Sequence, residues 1–242
     1  EMCNWVVQNN LENPFQLFVY LKLTYPSGKI QWIQQDKEYA SLFLQKCEKT
    51  INNNFKKLID LGWLYYDEEF EYYRLEALDT LRDERDWIQR RAYPFSYKDI
   101  NHIRATLGAV LYTQLYKSYC RKHFKNRKSN VLKSESASKS FAVSCDIKRF
   151  AEISVNGLVD IFKLSKCKAS RIKTLAAKHK LIEVQKQYIK LRPDEVNAAK
   201  KGAKYRGENQ NIIFKNGNHY LQLTDKIYSD LYFKRRKKLE TL

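Results

Sequence analysis

One interval constrains the fold of this chain more than any other: residues 153–191, ISVNGLVDIFKLSKCKASRIKTLAAKHKLIEVQKQYIKL. It reads as a helix, a three-residue turn, a second helix and a short β-hairpin. In the first helix Leu158, Val159, Ile161 and Phe162 are the expected buried positions, and Lys163-Leu164-Ser165 makes the turn. Ser165 is a good cap for the helix that follows, Lys166 to about His179. At about 100° per residue, Ala169, Ile172, Leu175 and Ala176 of that second helix share one sector and should pack on a core. The opposite sector carries Cys167, Ser170, Arg171, Thr174 and Lys178, with Lys166 and Lys173 at its flanks.

Charge divides the chain unequally. Residues 1–90 hold 11 Lys+Arg against 15 Asp+Glu, whereas residues 91–242 hold 34 against 12, so an acidic front precedes a strongly basic back. A net charge of +18 attracts polyanions through counterion release, with nucleic acid the leading partner and acidic membrane the runner-up. No run of about 18 apolar residues is present, and the opening EMCNWVVQNNLENPF lacks the basic flank and apolar stretch of a signal peptide. Five cysteines, at positions 3, 47, 120, 145 and 167, have no paired spacing, which suits free thiols in a reducing compartment. The expectation is a cytoplasmic protein with no membrane span. Seven Gly and four Pro in 242 residues leave few breakers, which predicts a mainly α protein with small β-hairpins.

A second helix-turn-helix pattern lies nearer the start. Asn13-Pro14 suits a helix beginning, and the helix runs through FQLFVYLKLTY to Pro26-Ser27-Gly28. A short helix near 37–44, a turn around Lys46-Cys47 and a helix of about 48–61 follow, with Ile51, Phe55, Leu58 and Ile59 as one buried face. Lys49, Asn52, Asn53 and Lys56 fall elsewhere on that helix. Gly62 stops it, and WLYYDEEFEYYRL then alternates bulky β-formers around Asp67-Glu68-Glu69. On the pattern FKKLIDLGWLYY, residues 13–75 resemble a winged helix-turn-helix domain, though the tip of this wing is acidic where a DNA-binding wing usually carries Lys or Arg. Residues 153–192 resemble the same family, with LIEVQ-KQYIKL as the small wing, and depart from it at Lys180, where the family usually has glycine.

Between the two, a charged helical segment is expected over 75–91 and a long amphipathic helix over about 97–123, with Ile103, Leu107, Val110, Leu111 and Leu115 on one stripe. That helix reads either as a core helix linking the modules or as a dimerisation surface. Residues 117–149 carry ten Lys+Arg and two acids around the apolar-poor SESASKS, a basic linker. The segmentation is therefore an N-terminal winged helix over 1–92, a connecting helix and basic segment over 93–133, a flexible linker over 134–145, and a basic C-terminal winged helix over 146–242. The last unit contains a hairpin turning at Asn216-Gly217 and a closing helix after Thr224 that ends in a basic run.

A helix of this width enters the DNA major groove, so Ser170, Arg171 and Thr174 are the candidate base readers. Arg171 is best suited to guanine. Lys166, Lys173, Lys178, Lys186 and Lys190 are candidate phosphate ligands. Lys49, Asn52, Asn53, Lys56, Arg121, Lys122, Lys125, Arg127, Lys128, Arg235 and Arg236 are candidate secondary contacts. Tandem winged helices resemble the layout of plasmid and phage replication initiators and of some transcriptional regulators. That resemblance implies that one module associates while the other reads a site on double-stranded DNA. No His-x-His pair, phosphate-cradling glycine loop or acidic metal constellation is present, so a non-enzymatic DNA-binding protein without metal, cofactor or small-molecule ligand is expected. Homodimerisation through the first module or the 97–123 helix is an accompanying expectation. An RNA-binding adaptor, or a scaffold recruiting replication proteins, are the alternatives.

Overall fold

In the computed structural model, which describes residues 1–88, 91–131, 150–205 and 212–235, the chain begins with α1 (Met2–Gln8) and α2 (Glu12–Thr24). β1 (Lys29–Ile30), α3 (Gln34–Leu44), α4 (Glu48–Asp60), β2 (Leu64–Asp67) and β3 (Tyr72–Leu75) complete a first unit. Its strands form an antiparallel sheet in the order β1-β3-β2. Leu17, Phe18, Leu21, Ile30, Ile51, Leu58 and Trp63 fill the core. Ile51, Phe55 and Leu58 are buried as the periodicity predicts, but Ile59 is 40% exposed. Asn54 lies on the inward side of the stripe and takes the buried place instead. α4 stops where Gly62 turns left-handed at φ 69°: the Gly62 and Trp63 N–H groups donate to Ile59 and Leu58 carbonyls, both at 2.9 Å, and Trp63 is delivered into the core.

The connecting region holds less helix at first than the periodicity predicts, and more later. α5 (Leu78–Asp83) covers six residues of the expected 75–91 segment, and β4 (Arg91–Ala92) is extended. The expected 97–123 helix breaks at His102 into α6 (Tyr97–Asn101) and α7 (Ile103–Val131). From Ala105 to Thr113 every residue of α7 is buried, so this stretch is surrounded by its own chain. The core-helix alternative is the one observed. Of the stripe, Ile103, Leu107, Val110 and Leu111 are buried in the chain itself and Leu115 is half-buried.

The second unit contains β5 (Ala151–Glu152), α8 (Val155–Phe162), α9 (Lys166–Lys178), β6 (Glu183–Gln185), β7 (Tyr188–Leu191), α10 (Pro193–Tyr205), β8 (Ile212–Lys215), β9 (Asn218–Gln222), β10 (Lys226–Tyr228) and β11 (Lys234–Arg235). Its pair α8 and α9 follows the backbone of α3 and α4 at three marked positions, although α8 is three residues shorter than α3. Left-handed residues Gln45 and Lys163 leave the first helix of each pair; Cys47 and Ser165 precede the second; Gly62 and Lys180 stop it, each pair 118 positions apart. Lys180 makes the same stop without a glycine: its N–H and that of Leu181 donate to Ala177 and Ala176 carbonyls at 3.0 Å. Ile161, expected inside, is 61% exposed, whereas Leu158 and Phe162 are buried.

Several expectations for the back of the chain are corrected. Residues 183–191 do not pair with each other: β6 pairs with β10, and β7 with β9. The sheet order β5-β10-β6 matches that of the first unit with a distant strand in the central place, while β7-β9-β8 forms a separate sheet around the Asn216-Gly217 turn. Among the described residues, 225–235 are not helical. Ile227 is fully buried in β10, and alternation of its neighbours across the sheet outweighs their helical preference. With four small antiparallel sheets among the described residues, the fold is mixed α/β rather than mainly α. The 134–145 linker lies outside the described residues.

The units are fastened to one another through α7 and α9. A side chain at Gly108 would put its Cβ 2.6 Å from the Ile172 carbonyl oxygen, so only glycine permits this crossing. Tyr112 donates its hydroxyl to the Ala169 carbonyl at 3.2 Å. Lys168 on α9 donates to the Val7 carbonyl and, at 2.7 Å, to Asn10 Oδ1, and is 3.1 Å from Glu12 Oε1. Gln8 Nε2 donates to the Phe162 carbonyl at 2.7 Å. Downstream, Ser229 shares a 2.6 Å hydrogen bond with Thr113 on α7, and β11 pairs with β4.

Candidate nucleic-acid interface

α9 is positioned by its apolar sector. Ala169, Ile172 and Ala176 are buried against α7 and α8, and the Ser165 hydroxyl accepts the Lys168 N–H at 3.3 Å to cap the helix. With that face committed, Lys166, Cys167, Ser170, Arg171, Thr174 and Lys178 are exposed together on the other. Thirteen residues give a helix about 20 Å long.

One flank of α9 borders a cleft of about 820 Å³. Lys166, Ser170 and Thr174 line it from α9, Ser154 and Asn156 from the start of α8, and Lys186 and Gln222 from the strand side. Asp225 is its one carboxylate among the described residues, and Lys173 neutralises it at 2.5 Å with both side chains largely buried. Lys173, expected to meet phosphate, is therefore committed to Asp225. Lys166 and Lys186 remain exposed, without an ion pair among the described residues, so the cleft is electropositive. Thr174 Oγ1 donates back to the Ser170 carbonyl at 3.1 Å, which leaves the threonine methyl and hydroxyl lone pairs at the surface.

The other expected residues are more dispersed. Lys178 is exposed at the end of α9, and Lys190 is exposed on β7, in the separate sheet. Lys49, Asn53 and Lys56 are exposed and Asn52 half-buried on α4, where Asn52, Asn53 and Lys56 occupy the turn-for-turn equivalents of Ser170, Arg171 and Thr174. Of the three consecutive acids at the tip of the first hairpin, Asp67 is paired with Arg74 at 2.9 Å, while Glu68 and Glu69 are exposed. Arg121 and Lys122 are exposed on α7, and Lys125, Arg127 and Lys128 belong to the same helix. Arg235 falls in β11, opposite Arg91; Arg236 lies outside the described residues.

Three residues that matter here were not singled out by the pattern: Arg104, Lys168 and Asp225. Arg104 is a single exposed position in a run of buried ones, and its neighbours along the chain do not reveal that it stands beside α9. Asp225 gives no signal until β10 is known to be a strand. The four described cysteines are free, and burial pushes the Cys3 thiol up to about 11. Among the described residues no three His, Cys, Asp or Glu side chains gather as a metal site would require, and no helix is long and apolar enough to cross a membrane. Comparison with protein-family models, with curated proteins and with solved structures finds no match to this chain.

Proposed function

We propose that the chain is a sequence-specific double-stranded DNA-binding protein, a transcriptional regulator or a replication initiator, built from two winged helix-turn-helix modules. The exposed sector of α9 carries the reading: three cations, Lys166, Arg171 and Lys178, stand around Ser170 and Thr174 with no acid on that sector. Among the described residues, the only carboxylate in the adjoining cleft is neutralised by Lys173. A polyanion laid along α9 meets positive charge and hydrogen-bonding groups without first displacing an internal salt bridge. Ser170 and Thr174 face the base edges, while Lys166 and Lys186 take phosphates on the cleft side. The first unit, with its acidic hairpin, associates with a second copy or a partner protein.

Selection of bound sequences from a random duplex pool, followed by fluorescence anisotropy at fixed salt, tests this. A recurring motif is expected, and Thr174→Ala should relax the preference at one position by about 1–3 kcal/mol. Tighter binding to structured RNA than to any duplex, or a Thr174→Ala and Ser170→Ala pair with unchanged preference, would refute the proposal.

A further inference from the structure

The other flank of α9 faces the first unit across a second cleft, of about 370 Å³, whose walls include Asn10, Glu12, Arg104, Lys168 and Arg171. Its one acid is spoken for. Glu12 is paired with Lys168 at 3.1 Å, and Lys168 also donates to Asn10 and to the Val7 carbonyl, so that ion pair serves the junction between units. Arg104 and Arg171 are different. Both are exposed, and neither has a hydrogen bond or ion pair with any described residue.

A third cation adds to their field. Lys46 donates to the neutral Asn13 Oδ1 at 3.0 Å, and its ammonium is held below the usual lysine range, first by burial and then by Arg104. Two guanidinium groups therefore line a cleft whose one carboxylate among the described residues, Glu12, is already used, and Arg104 also lies within the field of the Lys46 ammonium. Such a gathering is self-repulsive until an anion enters it. The planar forks of two arginines suit the oxygens of a phosphate better than a carboxylate side chain could satisfy both. The two arginines come from α7 and α9, so an anion held between them touches both the linking helix and the reading helix.

We infer that Arg104 and Arg171 bind one phosphodiester of a nucleic-acid backbone that leaves the α9 cleft and runs toward the first unit. This rests on the DNA-binding reading above, and it gives Arg171 a phosphate rather than a guanine as its partner. The proposal makes Arg104 a determinant of affinity and of register, not of base preference.

Two measurements on the full chain keep the two ideas apart. In the first, affinity for the selected duplex is followed across a salt series. Arg104→Gln should weaken binding about tenfold and reduce the slope of log K against log salt by about 0.9, with the ranking of sequences unchanged. Arg104→Lys should restore the slope but only part of the affinity. If Arg104→Gln leaves affinity and slope unchanged while Thr174→Ala alters preference, the clamp is wrong and the reading helix stands. In the second, inorganic pyrophosphate is titrated while the arginine Nε–Hε resonances are followed by NMR. Arg104 and Arg171 should shift along one saturable curve, and the Arg104 shift should vanish in Arg171→Gln. Independent curves, or no shift at either residue, overturn the clamp whether or not the wild type binds duplex DNA. Arg104→Gln should melt like the wild type, because the side chain it replaces is exposed and makes no described bond.

Discussion

Gly108→Ala tests the crossing of α7 and α9 on which both proposed contacts depend. An added Cβ would lie 2.6 Å from the Ile172 carbonyl oxygen and 2.9 Å from the Ile172 Cβ. These atoms belong to or are anchored on the main chain in the middle of a helix, so no rotamer change relieves the overlap. Two effects oppose each other. Alanine is the better residue in a helix interior by about 1 kcal/mol, while overpacking a filled core costs about 1–3 kcal/mol and occasionally more. Overlap with main chain puts this site at or above the upper end of that range, so a net loss of about 2 kcal/mol is expected. Urea unfolding followed by far-ultraviolet circular dichroism measures it. Gly157→Ala in α8 is the control, because its Cβ meets only the Ser154 hydroxyl, at 3.3 Å. A Gly108→Ala protein more stable than the wild type would mean that helix propensity acts alone and that the close crossing does not exist. DNA affinity should fall along with stability, since α9 can relieve the clash only by moving away from α7.

Lys168→Ala should cost about 1–3 kcal/mol, because it leaves the mostly buried Glu12 without its cation, whereas exposed Lys166→Ala should change stability by less than about 0.5 kcal/mol and weaken duplex binding; equal unfolding midpoints for the two would refute the pinning role of Lys168. Lys180→Gly should stabilise the protein by roughly 0.5–1 kcal/mol, because Lys180 holds φ 57°, and a lower unfolding midpoint would contradict the left-handed stop. His179 stacks on His102 with ring centroids 3.9 Å apart, and burial, then His102, then Lys178 hold its pKa below the ordinary histidine value. The folded state therefore disfavours the proton: the contribution of neutral His179 to stability is fully present above the unfolded value of about 6.5 and declines as pH falls below it through the lower folded value. Urea midpoints between pH 8 and 5.5 should show this decline, and His102→Gln should flatten it; an identical decline in the variant would remove His102 from the account.

The two pairs of consecutive helices, α3 with α4 and α8 with α9, were legible because each pair is local. The turn at Lys163-Leu164-Ser165, the Ser165 cap and the Ala169, Ile172 and Ala176 sector all depend on residues within a few positions of one another. What was not legible is long-range. β10 pairs with β5 and β6 across gaps that no periodicity spans, so 226–228 looked like the start of a helix and 181–191 looked like a closed hairpin. Ile59 and Ile161 were placed inside by hydrophobicity, yet each lies to the side of its stripe, where no neighbour covers it. The site divides the same way. Ser170, Arg171 and Thr174 were visible as one outward sector, but the partner of Lys173 and the approach of Arg104 arise only when distant elements meet.

The place of β10 in the second sheet sets an order on synthesis. The first unit has all three strands of its sheet once residue 75 has been made, so it can close while the rest of the chain is still being translated. The second cannot. Its central strand is residues 226–228, and the residue that pairs with Lys173, Asp225, arrives immediately before it. Until then α9 and the apolar sides of α7 lack part of their cover, and a nascent chain waits with α9 made and its sheet open. A ribosome stalled between residues 192 and 224 would therefore carry one finished unit and one unfinished one, the latter exposed to chaperones and proteases.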